Sequence, residues 1–310
     1  MLDWLEQLQK EVRSLQNAVR IEKILKGFST DEKYRIDMVN GEKRLLRVSS
    51  LEQREQKKAE FEILQTIESY GVNASLPIEF GVWEDRGLCF MVLSYLEGED
   101  ARDMLPGLPQ NLQFDIGYRA GQDLAKMHQL EAPSIITPWF DRCVQKHRRY
   151  IEAYHASKHR IPHADSIIAF IEEHLDYVKS RPNRFLHDDF HVGNLIVHDQ
   201  QYAGVIDFNR YDWGDPFHEF TKLAFFSKEI SVPFSHGQLS GYFGRNKEPD
   251  TFWILYGIYT GMAIFSSIVW TGRVVPDLLI DMLKRVERII EEHKAFEQLI
   301  PDWFCPGESV

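Results

Sequence analysis

Residues 185–197 read FLHDDFHVGNLIV. Apolar flanks enclose His187, Asp188, Asp189, His191 and Asn194. Polar groups at that density inside a buried strand cost free energy unless they find partners. The pattern predicts a strand that opens into a loop, turns its polar groups toward a ligand, and resumes as a strand. A second apolar run, Gly204-Val205-Ile206, also ends on a carboxylate, Asp207, followed by Phe208. A strand ending on Asp keeps its backbone anchored and projects the carboxylate beyond the sheet edge. Two such strands side by side bring Asp189, Asn194 and Asp207 together. Oxygen donors without thiols or close-spaced histidines suit Mg²⁺, a hard cation. The competing reading, Asp and Asn that merely cap turns, explains one segment but not the pair.

Length and composition set the bounds. A chain of 310 residues is long enough for two lobes with separate cores. Its 44% hydrophobic and 27% charged residues are those of an ordinary globular protein. A net charge of −11 disfavours nucleic acid as partner and suits a cationic small molecule. Cys89, Cys143 and Cys305 are widely spaced and odd in number, which disfavours a disulfide framework or zinc site and points to a reducing, cytoplasmic compartment. The N-terminus has no apolar signal core; Leu2, Leu5, Leu8 and Val12 give it the face of an amphipathic helix. Phe252 to Trp270 carries no charge and contains Gly257 and Gly261 at G-x-x-x-G spacing. It is the only such run, and its Ser, Thr and Tyr residues favour a buried helix over a membrane span.

The first third reads as strands at 21–27, 33–39 and 43–49, a helix over 51–70, and strands at 76–83 and 88–95, with Asn40-Gly41 as a hairpin turn. Gly71 is placed to end the helix. From about Asn111 helical spacing dominates, interrupted by the His-Asp stretch. The expectation is an α+β chain: residues 1–96 form a small β-rich lobe with one key helix, and 97–310 a larger helical lobe.

The motif resembles the protein-kinase fold and, within it, the aminoglycoside phosphotransferase and choline kinase group. The group's H-G-D-x-H-x-x-N stands here as His187-Asp188-Asp189-Phe190-His191-Val192-Gly193-Asn194, its I-D-F as Ile206-Asp207-Phe208, and its G-D-P as Gly214-Asp215-Pro216. Four positions depart from the pattern: Asp188 replaces glycine, Val192 replaces proline, Asn209 follows Phe208, and Glu219 stands where Asp is usual. None removes a catalytic atom. The Asp188 charge is expected to raise the proton affinity of Asp189. The G-x-G-x-x-G and A-P-E signatures of protein kinases are absent, which argues against a protein substrate.

The resemblance implies a bilobal, protein-kinase-like small-molecule kinase that uses Mg²⁺ and ATP or GTP. Asp189 would orient the acceptor hydroxyl and take its proton, and Asn194 and Asp207 would hold the metal. Ser29 and Thr30 would lie in the turn over the nucleotide phosphates. Arg47 stands where protein kinases carry lysine and would hold the phosphates, with Glu60 as its ion-pair partner and Glu62 as the competing register. Ser94, Tyr95 and Leu96 would form the hinge against adenine. His187 is expected to be structural and His191 to support the loop. The acceptor reading is an aminoglycoside-like antibiotic, with resistance as the role. A metabolic kinase for another small alcohol (a sugar, a choline-like amine, a homoserine-like acceptor) and a non-catalytic nucleotide-binding module are the alternatives. The basic run Lys146 to Arg160 is read as a solvated helical face, and oligomeric state is not legible.

Overall fold

The computed structural model describes residues 3–25, 31–244 and 248–304. Ser29 and Thr30 therefore lie outside the described residues, as does Cys305. The chain forms two compact units: Met1–Gly98 with Ala203–Asn209, and Glu99–Tyr202 with Arg210–Val310.

The first unit opens with helix α1 (Asp3–Glu11) and strands β1 (Ala18–Ile24), β2 (Glu32–Met38) and β3 (Lys43–Ser50). The alternation in EKYRIDM buries Tyr34, Ile36 and Met38 on one face of β2. Asn40-Gly41 makes the turn, with Gly41 in the left-handed region at φ +85°. Helix α2 (Arg54–Ser69) follows a short 3₁₀ turn, and left-handed Gly71 stands just beyond its end. Strands β4 (Pro77–Trp83) and β5 (Leu88–Ser94) complete an antiparallel five-stranded sheet in the order β1-β2-β3-β5-β4. The expected order of five strands around one helix is what forms. One face of the sheet packs Ile36, Leu46, Val48 and Val92 against Val12 and Leu15 from the N-terminal segment. Phe61, Leu64 and Ile67 are the buried stripe of α2, and Phe61 meets the Phe80 ring of β4 at 5.8 Å.

The second unit is mostly helical. Strand β6 (Glu99–Asp100) leads into helices α3 (Ala101–Met104), α4 (Gln110–Met127), α5 (Trp139–Ala156) and α6 (Ala164–His174). Strands β7 (Arg184–Leu186), β8 (Leu195–His198), β9 (Gln201–Val205) and β10 (Asp212–Gly214) carry the polar motifs. β6 pairs with β8, and β7 with β10, both antiparallel. Asp199 and Gln200, both left-handed, turn the chain from β8 toward β9; β9 begins in this unit and ends in the first. Helices α7 (Lys228–Ile230), α8 (Val232–Phe243), α9 (Thr251–Val274) and α10 (Leu279–Glu292) complete it.

One feature of this packing was not read from the sequence. Helices α4 and α8 cross at backbone contact: a Cβ on Gly117 or Gly121 would lie 2.1 Å from the carbonyl oxygen of Phe234 or Gln238. Gly237 and Gly241 meet Phe114 and Tyr118 in the same way from the other side. Helix α9 is the one helix among the described residues long and apolar enough to cross a membrane, and 83% of its most apolar window is buried within the protein. Its Gly257 and Gly261 face Phe170 and Ile171 of α6.

Candidate active site

Strand β7 delivers the chain to the loop 187–194. Phe185 and Leu186 are fully buried, so the backbone entering the loop is fixed. Asp188 then adopts a left-handed φ of +59°. A glycine at this position, as in the resembled pattern, takes that conformation without strain, and Asp is among the few residues that tolerate it. Glu219 holds the loop: its carboxylate accepts from the backbone N–H of Asp188 at 2.9 Å and of Phe190 at 3.1 Å. Burial alone would push that carboxyl up, but His128, whose Nε2 lies 4.0 Å from it, and the neighbouring His187 bring it down to about 2. The backbone beyond it is tied down by Asp215, fully buried, which accepts from Arg181 at 2.7 and 2.8 Å and from the Tyr259 hydroxyl at 2.7 Å.

Asp189 is pinned at both oxygens. Its Oδ1 lies 3.4 Å from His191 Nε2 and 3.2 Å from Lys222 Nζ. Its Oδ2 accepts from the Asn194 side-chain amide at 3.1 Å, and the same Asn194 nitrogen donates to the Asp189 carbonyl at 2.9 Å. His191 Nδ1 accepts from the Gly193 N–H at 3.0 Å, which assigns the ring proton to Nε2, facing Asp189. Burial would raise the Asp189 carboxyl, but His191 and Lys222 outweigh it and hold the group well below the usual carboxylate range. Asp189 is thus held in its ionised, carboxylate form. The expectation that Asp188 would raise the proton affinity of Asp189 is not met. The raised group is Asp188 itself, which burial pushes up to about 6 against the pull of Lys222 and Lys146. His191 and His187 fit their supporting roles: both are buried, and His187 Nδ1 accepts from the Asp189 N–H at 3.3 Å.

Asn194 commits its amide nitrogen to Asp189, leaving its carbonyl oxygen as the donor it can offer a metal. Asp207, in the first unit, has a left-handed φ of +71° two residues beyond the end of β9. Its Oδ1 is buried without a hydrogen-bond partner. An orphaned buried carboxylate oxygen is costly, and a divalent cation would satisfy it. A carboxylate oxygen and an amide oxygen are each the kind of donor a hard cation prefers; among the described residues no group of three or more His, Cys, Asp and Glu side chains is placed to hold a metal ion.

Arg47, on β3, lies in the middle of the sheet between β2 and β5, and is 5% exposed. Glu60, not Glu62, is its partner in α2. The guanidinium also grips Asp31, with Nε donating to Oδ2 at 3.1 Å. Lys57 Nζ donates to the same Asp31 oxygen at 2.7 Å and approaches Glu60 at 3.7 Å, and Ser49 donates to Asp31 Oδ1 at 2.9 Å. Burial would raise the Asp31 carboxyl, but Arg47 and Lys57 hold it below its ordinary value. Sequence reasoning found two of these four charges and missed Asp31 and Lys57.

In the segment expected to serve as hinge, the Ser94 N–H donates to the Leu76 carbonyl at 2.8 Å and the Tyr95 N–H to the Lys43 carbonyl at 3.2 Å. Both amides are committed within the first unit, and the Leu96 N–H is the one with no backbone partner among the described residues.

Comparison with known proteins supplies an independent line. A sequence model described as the phosphotransferase enzyme family matches residues 20–253. No curated protein sequence matches this chain. Among solved structures, the fold is similar to the gentamicin complex of APH(2″)-IIa, at 17% identity over 92% of this chain and 95% of that one, with a TM-score of 0.62. It is also similar to the GDP complex of wild-type aminoglycoside 2′-phosphotransferase-IIIa, at 14% identity, 93% and 97% coverage, and a TM-score of 0.68. A ternary complex of an APH(4)-Ia mutant with ADP and hygromycin B gives 14% identity, 94% and 98% coverage, and a TM-score of 0.64.

Proposed function

This chain belongs to the phosphotransferase enzyme family, and from that premise we propose that it transfers the γ-phosphate of ATP or GTP to a hydroxyl of an aminoglycoside-like antibiotic. The observation that carries the reading is Asp189: an ionised carboxylate, about a quarter exposed, fixed at both oxygens on a rigid loop. Phosphoryl transfer passes through a loose transition state, so the attacking hydroxyl keeps its proton until late. A weakly basic, well-oriented carboxylate suits that task better than a strong base. Asp189 orients the acceptor hydroxyl and accepts its proton; Asn194 and Asp207 are the residues we assign to Mg²⁺. The cation supplies charge neutralisation on the phosphates. Arg47, braced by Glu60, is assigned to the α- and β-phosphates, and Leu96 to the adenine edge. A net charge of −11 favours encounter with a polyamine sugar. The related folds named above were solved with gentamicin and hygromycin B.

The test is turnover of Mg-ATP and Mg-GTP against a panel of aminoglycosides, sugars and amino alcohols. Acceptor-stimulated transfer to an aminoglycoside is the expected result. Stimulation only by another alcohol would move the protein to a metabolic role, and binding of nucleotide without turnover would leave a nucleotide-binding module.

A further inference from the structure

The residues already assigned do not account for Lys222. It stands three positions after Glu219, its side chain is mostly buried, and its ammonium lies 3.2 Å from Asp189 Oδ1. The segment it opens is unusual. Leu223–Ser227 forms a π-helical turn, a form that is rare and kept mostly at functional sites. From this turn three contacts reach the catalytic loop. Lys222 meets Asp189. The Phe226 ring lies 4.8 Å from the His191 ring. Ser227 Oγ accepts from the Val192 N–H at 3.4 Å. Phe226 is itself held between cations: Lys222 Nζ is 5.9 Å from its centroid, and the Arg285 guanidinium 5.5 Å. Arg285 in turn is paired with Glu229 at 3.0 Å. The π turn thus forms a braced platform on which His191 and Lys222 converge on one oxygen.

We propose that Lys222 is a positioning residue for phosphoryl transfer, holding Oδ1 of Asp189 together with His191 so that the carboxylate keeps the one orientation that receives the acceptor hydroxyl. Asp189 has two side-chain torsions and partial solvent access, so without Lys222 only the His191 and Asn194 contacts would restrain it. Misplacement of a reacting group by about 1 Å costs on the order of 100-fold in rate. Asp188 and Glu219 also face Lys222 and keep it protonated.

This inference rests on the kinase reading above, and its test separates the two. Lys222→Met, Lys222→Gln and Lys222→Arg are compared with the wild type in full-length protein. The donors are Mg-ATP and Mg-GTP, and the acceptors water and kanamycin. Removing the ammonium is expected to lower kcat by roughly 10–100-fold while nucleotide KM stays within about twofold. Lys222→Arg is expected to recover most of the loss. If thermal melts show the Met variant unfolded, the Gln variant carries the same expectation. Loss of kcat within about twofold in the Met and Gln variants, a parallel rise in nucleotide KM, or no recovery with Arg would overturn the proposal. Wild-type protein that turns over neither donor with kanamycin or with any sugar or amino alcohol of the panel above would instead remove the kinase reading, and this inference with it.

Discussion

Two charge clusters, one in each unit, are built in opposite ways. In the first, Asp31, Arg47, Lys57 and Glu60 form a sealed group, each residue less than a tenth exposed and each paired with opposite charge. In the second, Asp188, Asp189 and Lys222 keep side chains between a fifth and a third exposed, at the mouth of a rigid loop. The first arrangement spends its electrostatics on holding a strand to a helix, since one cation of the group lies on β3 and the other on α2. The second leaves oxygens able to meet a substrate. Substitutions at Asp31 and Lys57 should therefore appear as lost stability, those at Arg47 and Glu60 as lost stability with weaker nucleotide binding, and those in the open group as lost turnover.

The largest separation is expected at Asp189. Asp189→Asn keeps the size and most hydrogen bonds but removes the carboxylate we assign as proton acceptor, so kcat should fall by about 10²–10⁴-fold. The melting temperature should fall less than for a substitution in the sealed group, because Asp189 is partly solvated. A melt that collapses along with activity would erase the contrast between the units. Next comes Asp31→Ala, which leaves Arg47 and Lys57 buried with Glu60 as their only carboxylate in the group. Breaking a buried pair from one side costs roughly 3–5 kcal/mol, to be read in urea unfolding. Unchanged stability would show that water already reaches these cations.

A third test concerns the helical unit, which is sealed by shape where the sheet unit is sealed by charge. Gly121→Ala puts a methyl 2.1 Å from the Gln238 carbonyl, a backbone atom that moves only if α8 moves. Overpacking of that kind costs typically 1–3 kcal/mol. The same substitution at exposed Gly107, where a Cβ meets nothing within 4 Å, should be nearly silent.

How legible all this was in the sequence follows the range of the interactions. The five strands and α2 were readable because period-two and helical spacing are local signals, and the loop because its polar residues are crowded into eight positions. Glu60 was found through the resemblance, although register left Glu62 open. Lys57 was within reach: it stands three residues before Glu60, on the same face of α2. Asp31 was not, since nothing local says that the start of β2 turns a carboxylate inward onto β3. The α4–α8 seam was missed for the same reason. Gly117 and Gly121 carry the G-x-x-x-G spacing that was noticed in α9, but spacing alone does not say which helix approaches. Lys222 gave no sign, because the π turn that aims its platform has no sequence period of its own.

The smallest expected effect tests whether an unpaired buried group belongs to either class. His147 on α5 is buried, and neither ring nitrogen has a hydrogen-bond partner. Burial, with a smaller push from Arg148, lowers its pKa from 6.5 to about 4. The folded state therefore binds this proton less readily than the unfolded chain. Stability at His147 is intact above pH 6.5, falls as pH drops from there toward 4, and declines no further below that, where both states carry the proton. At most about 3 kcal/mol is at stake, and local water entry will reduce it. His218 and His293 are lowered to about 4 as well, so the wild type should lose stability steeply through this window. His147→Leu should remove one share of that slope and, by discarding two unsatisfied nitrogens, leave stability at pH 7.5 equal or higher. Urea unfolding of both proteins at pH 7.5 and 5.0 measures it. An identical pH slope in the two would mean that the ring is charged or solvated in the fold, placing His147 with the open group of the loop rather than with the sealed core.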